Sequence, residues 1–243
     1  LVSLNLGLLA RYQNRMNVAV EAFERAAALS RRVGDSIAAL QAELSAAVTR
    51  LEHGAPVSQD VIQDLVDRSV DLGVAQLQGL ALRGLSQVYQ IQGELERADQ
   101  VLRDAIAMLR QQGLGVDAQH CAAHRSRLWL TVGNEKRALS SFEGLGASTF
   151  TVSPPSDGVV LGTLAELAQI RGDDAECQHL AQRARELGLV AGVAKVDVAI
   201  RLSQARIERR SGTLKPDVLT ALKRTLDECG LGPGAPMYEE WRT

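Results

Sequence analysis

Apolar residues recur at helical spacing along the chain, and turn-forming residues interrupt the pattern at regular intervals. Six such interruptions stand out: Asn14, Gly54, Gly93, Gly133, Gly172 and Gly212. They are separated by 40, 39, 40, 39 and 40 residues. Each follows one helical stretch and precedes another. A helix that ends in a left-handed turn needs Gly or Asn just past its end, where a larger side chain's Cβ would clash. The pattern therefore predicts an all-α chain of antiparallel helix pairs with a period of about 40 residues.

The segments around the turns align. NLGLLARYQNRMNVAVEAFERAA, LSQVYQIQGELERADQVLRDA, SRLWLTVGNEKRALSSF and LAELAQIRGDDAECQHLAQRA share one layout. Five residues after the turn stand Ala19, Ala98, Ala138 and Cys177; nine after it stand Phe23, Leu102, Phe142 and Ala181. Twelve after it come Ala26, Ala105, Leu145 and Ala184. The small residues let two helices approach closely, and the larger one fills the gap between pairs. Prolines avoid the expected helix interiors: Pro56 and Pro216 fall in turns between paired helices, and Pro154 and Pro155 fall between the fourth and fifth pairs. This gives repeats over 1–34, 35–73, 74–115, 116–153, 154–187 and 188–230, with a tail over 231–243 that ends in a short helix around PMYEEW or hangs free. The second helix of the fourth repeat is expected to be short, since Gly144 and Gly146 follow soon after Phe142. The stretch ASTFTVSPPSDG from Ala147 reads as a connector with an Asp or Ser cap for the next helix, or as a ligand-facing loop.

Composition fits close helix packing. Hydrophobic residues make up 46% of 243 and aromatics only 3%, so the core must be built from Leu, Ala and Val. A net charge of −2 gives no electrostatic case for nucleic-acid or membrane-surface binding by this chain. Cys121, Cys177 and Cys229 are odd in number and widely spaced, which points to reduced thiols in a cytoplasmic protein. No apolar run is long enough to span a bilayer. The start, LVSLNLGLLA, lacks a signal-peptide pattern and an initiator Met, so a piece of a longer protein is expected.

Catalytic motifs are not found. Gly113-Leu-Gly115 lacks the third glycine of a dinucleotide fingerprint, and neither a P-loop nor a G-x-S-x-G elbow occurs. His120 and His124 lie one helical turn apart in HCAAH, a spacing that can share a metal. The Glu of a zinc peptidase and a third ligand are both missing, so the histidines are read as lining an inner surface or exposed, with no metal and no cofactor. Asp173 and Asp174 stand at a helix start, where their charge favours the helix dipole and implies no acid–base role. The chain is not expected to be an enzyme.

The offsets resemble the tetratricopeptide family. Gly7, Ala19, Phe23 and Ala26 carry the likeness in the first repeat; Tyr89, Gly93, Ala98, Leu102 and Ala105 in the third; Trp129, Gly133, Ala138 and Phe142 in the fourth. The likeness covers nearly the whole chain, with a period longer than the family's usual 34 residues. It implies a right-handed α-solenoid of about six antiparallel helix pairs, a superhelix with the first helix of each pair on its concave side. That places Leu4, Leu8 and Arg11, then Gln41, Leu44, Val48 and Leu51, at the inner surface, followed by a more polar and basic groove. The candidate ligand-binding residues of that groove are Arg83, Gln87, Gln90, His120, His124, Arg127, Glu166, Gln169, Arg206 and Arg209, with Leu202 and Arg210 beside them. Arg and Gln there can hydrogen-bond a peptide backbone or a carboxylate. Leu4 and Leu8 stand where the family's carboxylate clamp needs polar residues, which argues against a chaperone adaptor.

The long Ala-, Leu- and Arg-rich repeats, with ARELG at Ala184–Gly188 and SRRVGD at Ser30–Asp35, resemble those of large bacterial transcription activators of the LuxR-type and maltose-activator-like kinds. That resemblance implies a sensor or regulatory arm that holds a small inducer, a peptide or a protein partner in the groove, without touching nucleic acid or membrane itself. Two other readings stay open: a general protein–protein scaffold, and a regulatory appendage of a signalling enzyme such as a cyclase or kinase. Homo-oligomerisation also stays open.

Overall fold

The computed structural model describes residues 2–13, 15–145, 154–191 and 194–228. Twelve helices are found among them, packed as sequential antiparallel pairs, an arrangement consistent with a helical repeat. They are α1 (Val2–Tyr12), α2 (Met16–Arg32), α3 (Ser36–Glu52), α4 (Gln59–Asp71), α5 (Ala75–Ile91), α6 (Leu95–Gln111), α7 (Gly115–Thr131), α8 (Glu135–Ser140), α9 (Pro154–Ile170), α10 (Asp174–Ala191), α11 (Ala194–Arg210) and α12 (Pro216–Glu228). Asn14, residues 146–153 with the expected connector or ligand-facing loop, Cys229 and the tail lie outside the described residues.

One punctuation mark recurs. At the end of α5, Gly93 sits at φ 79° and donates its N–H to Gln90 O, while Glu94 N–H reaches back to Tyr89 O at 2.8 Å. This six-to-one and five-to-two pair satisfies carbonyls the helix would otherwise leave open, and it requires a residue without a Cβ penalty. The residue after the glycine often caps the next helix: Asp35 accepts from Ala38 N at 2.9 Å, Asn134 from Arg137 N at 3.2 Å and Asp173 from Glu176 N at 3.0 Å. The same turn occurs between pairs, at Gly34, Gly73 and Gly113, so seventeen-residue helices such as α5, α6 and α7 follow one another through three-residue links. Helix α6 ends at Gln111, and Gly115, the last residue of the expected third repeat, is the first residue of α7. Asn134→Ala should cost about 1 kcal/mol, read as a lower urea midpoint with an unchanged slope.

Three prolines sit differently from expectation. Pro154 and Pro155 are the first two residues of α9 and Pro216 is the first of α12, where a missing N–H costs nothing because first-turn amides have no partner in the helix. Helix α8 has six residues, as Gly144 foreshadows, and α10 runs on to Ala191, past the expected end of the fifth repeat.

The core is a string of linked clusters. Gly7, Ala19 and Phe23 interlock α1 with α2; Leu40, Leu44, Leu51, Ile62 and Leu85 join α3, α4 and α5; Leu102, Ala105 and Leu109 meet Ala118 and Ala122 of α7; Leu161, Ala165 and Leu180 join α9 and α10. The small positions are filled to contact, with Ala19, Ala98 and Ala138 fully buried. Odd-numbered helices also touch one another in order, α3 with α5, α5 with α7, α7 with α9 and α9 with α11. In addition α1 touches α11, and Tyr12 packs against the α9–α10 cluster with Ile207 of α11. No described helix is long and apolar enough to cross a membrane.

Candidate functional site

The odd-numbered helices, with Leu109 of α6, line a half-open cavity of about 400 Å³. Its wall takes Leu8 and Arg11 from α1, Gln41 and Ser45 from α3, Leu77, Leu80 and Arg83 from α5, and Asp117, His120 and Cys121 from α7. Each helix offers these side chains at three- or four-residue spacing, so one face of each points inward. Gly79 lets α5 come close to α6: a Cβ there would lie 2.9 Å from Leu109 Cδ1.

The charges on this wall are unevenly compensated. Arg11 is held by Glu52 through Nε at 3.2 Å and Nη2 at 2.9 Å, a forked pair between α1 and α3. Arg83 has no hydrogen bond or ion pair among the described residues, and its Nε is buried without an acceptor. Burial, with the Arg11 charge adding to it, pushes the Arg83 guanidinium pKa down, with partial relief from the Glu52 and Asp117 side chains. One turn further along α5, the buried Gln87 Oε1 also meets no donor.

The other titratable groups are shaped by the same enclosure. Burial, with the Arg83 charge adding to it, lowers His120 from 6.5 to about 4 and sets His124 well below its usual value. Both imidazoles are therefore neutral at pH 7. Burial raises the Cys121 thiol to about 11, so it is an inert thiol and not a nucleophile. Burial also raises Asp117, with Arg83 pulling the other way.

A pH prediction follows. Unfolded His120 takes up a proton below about 6.5, whereas the folded one stays neutral until about 4. Stability thus falls as pH drops through that window, because the unfolded state binds more protons. The raised Asp117 acts in the opposite sense and offsets part of the loss at the acid end. Urea midpoints at pH 7 and pH 4.5 should differ, and His120→Gln should reduce the difference. An unchanged pH dependence in that variant would contradict the burial account.

The ten candidate residues do not form one site. Arg83 and His120 line the cavity, and Gln87, His124 and Arg127 lie on the same two helices, α5 and α7, further along. Gln90 is partly buried near the end of α5. Gln169 donates to Ile207 O at 2.9 Å, tying α9 to α11, and Arg209 is exposed. Glu166 and Arg206 are paired at 3.4 Å in the interior, with Arg210 at 3.4 Å from the other carboxylate oxygen. Their charges are committed to the α9–α11 contact. Leu4, Leu44, Val48 and Leu51 are core residues, leaving Leu8, Arg11 and Gln41 as the inner-facing members of α1 and α3.

Arg97 stacks on Tyr89 at 4.2 Å and Arg137 on Trp129 at 4.3 Å. In each case the aromatic stands four residues before the turn glycine and the arginine four after it, a periodic signal available in the sequence. Among the described residues no three His, Cys, Asp or Glu side chains gather as metal ligands. Neither a protein-family model nor a curated protein matches this chain.

Proposed function

We propose that this chain is a non-catalytic binding domain, a right-handed tetratricopeptide-like solenoid serving as the sensor or regulatory arm of a larger cytoplasmic bacterial transcription regulator. The observation that carries the reading is the cavity's construction. Four helices from four successive pairs, α1, α3, α5 and α7, each supply wall residues. A ligand there would bind to the mutual arrangement of the pairs and would shift any equilibrium that changes it. The cavity offers polar groups for recognition, and its only thiol is deeply buried and held protonated, which suits binding rather than turnover.

A screen of small metabolites and peptides by thermal shift tests this. A ligand at 100 times its Kd should add about 2.7 kcal/mol of stability. Gln41→Trp with Gln76→Trp, which narrow the cavity at two wall positions, should abolish that shift, and the ligand should be recovered unchanged. A shift that survives the tryptophans would place binding elsewhere and defeat the cavity reading.

One observation favours the scaffold reading. The first helix pair exposes Val2, Leu6, Leu9 and Val18 at 75%, 54%, 49% and 48%, and Leu6, Leu9 and Val18 line a surface depression of about 530 Å³. An apolar patch of this kind suits a protein partner. Leu6→Lys with Val18→Lys should abolish capture of such a partner and leave ligand-induced thermal shifts intact.

A further inference from the structure

Arg83 is placed at a cost that the protein offsets only in part: its Nε is buried without an acceptor, and no ion pair holds its charge. A guanidinium is always charged and carries five donors in a planar fork. Enclosed groups of this kind are normally paired, because charge removed from water without a partner is unfavourable. Around Arg83 the partners are withheld. Glu52 of α3, whose charge reaches Arg83, is bound by Arg11 at 2.9 Å. Asp117 shares the cavity wall but forms no ion pair within 4.0 Å. His120, on the same wall, is neutral at pH 7 and so neither competes for an anion as a cation nor neutralises Arg83. Leu8 and Leu80 supply partly exposed apolar wall, beside the polar side chains of Gln41, Ser45 and Gln76.

Resting on the reading of the cavity as a ligand site, we propose that it takes a small organic carboxylate with an apolar body, its carboxylate paired with the Arg83 fork and its hydrocarbon against the leucines. The planar donor pair matches a carboxylate in a two-point contact, and the apolar surface of Leu8 and Leu80 favours an organic acid over an inorganic anion. Two sources share this chemistry, a simple carboxylic acid and an α-amino acid. Asp117 on the same wall would face the ammonium of the second.

The test uses hexanoate, leucine and hexanamide as probes in calorimetric titration of the whole chain, with Arg83→Met as the variant. Hexanoate or leucine should bind, hexanamide should bind at least tenfold more weakly, and Arg83→Met should lose at least tenfold of the affinity. Asp117→Asn should weaken leucine but not hexanoate if the amino acid is the natural class. A second readout separates ligand binding from a structural role. Because Arg83→Met removes a partly buried charge that no ion pair holds, the ligand-free variant should melt at a higher temperature than the wild type. A lower melting temperature, equal binding of hexanamide, undiminished binding by Arg83→Met, or no binding of either carboxylate would each overturn the proposal. Should a peptide or neutral metabolite bind and be blocked by Gln41→Trp with Gln76→Trp while both carboxylates fail, the cavity reading survives and the carboxylate assignment does not.

Discussion

Replacing Asp99 by alanine should remove about 3–5 kcal/mol of stability, the largest loss expected from any single polar residue here. Asp99 is 2% exposed on α6. Its Oδ1 accepts from Arg125 Nε at 2.6 Å and from Trp129 Nε1 at 2.6 Å, both on α7, and its Oδ2 lies 3.1 Å from Arg103 Nε. Alanine would strand the Arg125 charge, whose side chain is only 12% exposed, and leave an indole N–H unsatisfied. Domains of this kind have about 5–15 kcal/mol in total, so the variant would sit near the edge of folding. Asp99→Asn keeps an acceptor and removes the charge, and should fall between the two. Urea unfolding of the three proteins gives the ranking. A loss below about 1 kcal/mol in the alanine variant would mean that Arg125 swings out to water and that the triad is not a structural anchor.

Phe23→Ala should cost about 3–5 kcal/mol, through lost burial and the cavity left behind. The ring is fully buried between α1 and α2 and lies so close to Gly7 that a Cβ there would come within 2.5 Å of it. Gly7→Ala alone should therefore cost about 1–3 kcal/mol by overpacking. The two changes should not add, since the new methyl enters space the ring vacates. A double-mutant cycle should show the Gly7→Ala penalty shrinking or reversing in the Phe23→Ala background. Strict additivity would mean that the two residues do not share one space.

How much of this was legible in sequence depends on whether the physics is local. The turns were, because a left-handed residue after a helix almost dictates Gly, and Gly93, Gly133 and Gly172 read out directly. Ala19, Ala98 and Ala138 were legible for a similar reason, as crowding between neighbouring helices admits only small residues. Asp99 was not. Within ERADQVLRDA it looks like any solvated helix residue, and its partners lie 26 and 30 residues away. The candidate groove was legible in part. Helical spacing set Arg83 and His120 on inward faces, but it could not tell that Glu166 and Arg206 consume each other. A period-based signal did exist: Glu166 and Arg206 are 40 residues apart, while Arg11 and Glu52, and Glu96 and Arg137, are 41 apart. Opposite charges one repeat apart are candidates for pairing on stacked helices, but the spacing alone does not decide it: Glu43 stands 40 residues before Arg83 and pairs with Arg68 and Arg31 instead.

The touch between α1 and α11 bears on how the molecule comes apart. Stacked units that meet only their sequence neighbours can fray from either terminus, one at a time. Here the first helix and the penultimate one brace each other across nearly the full length of the chain. Loosening either end strips a partner from the other, so loss should be concerted rather than stepwise. Amide hydrogen exchange in α1 should accelerate when α11 is weakened at a distance, a cooperativity that a linear array would lack.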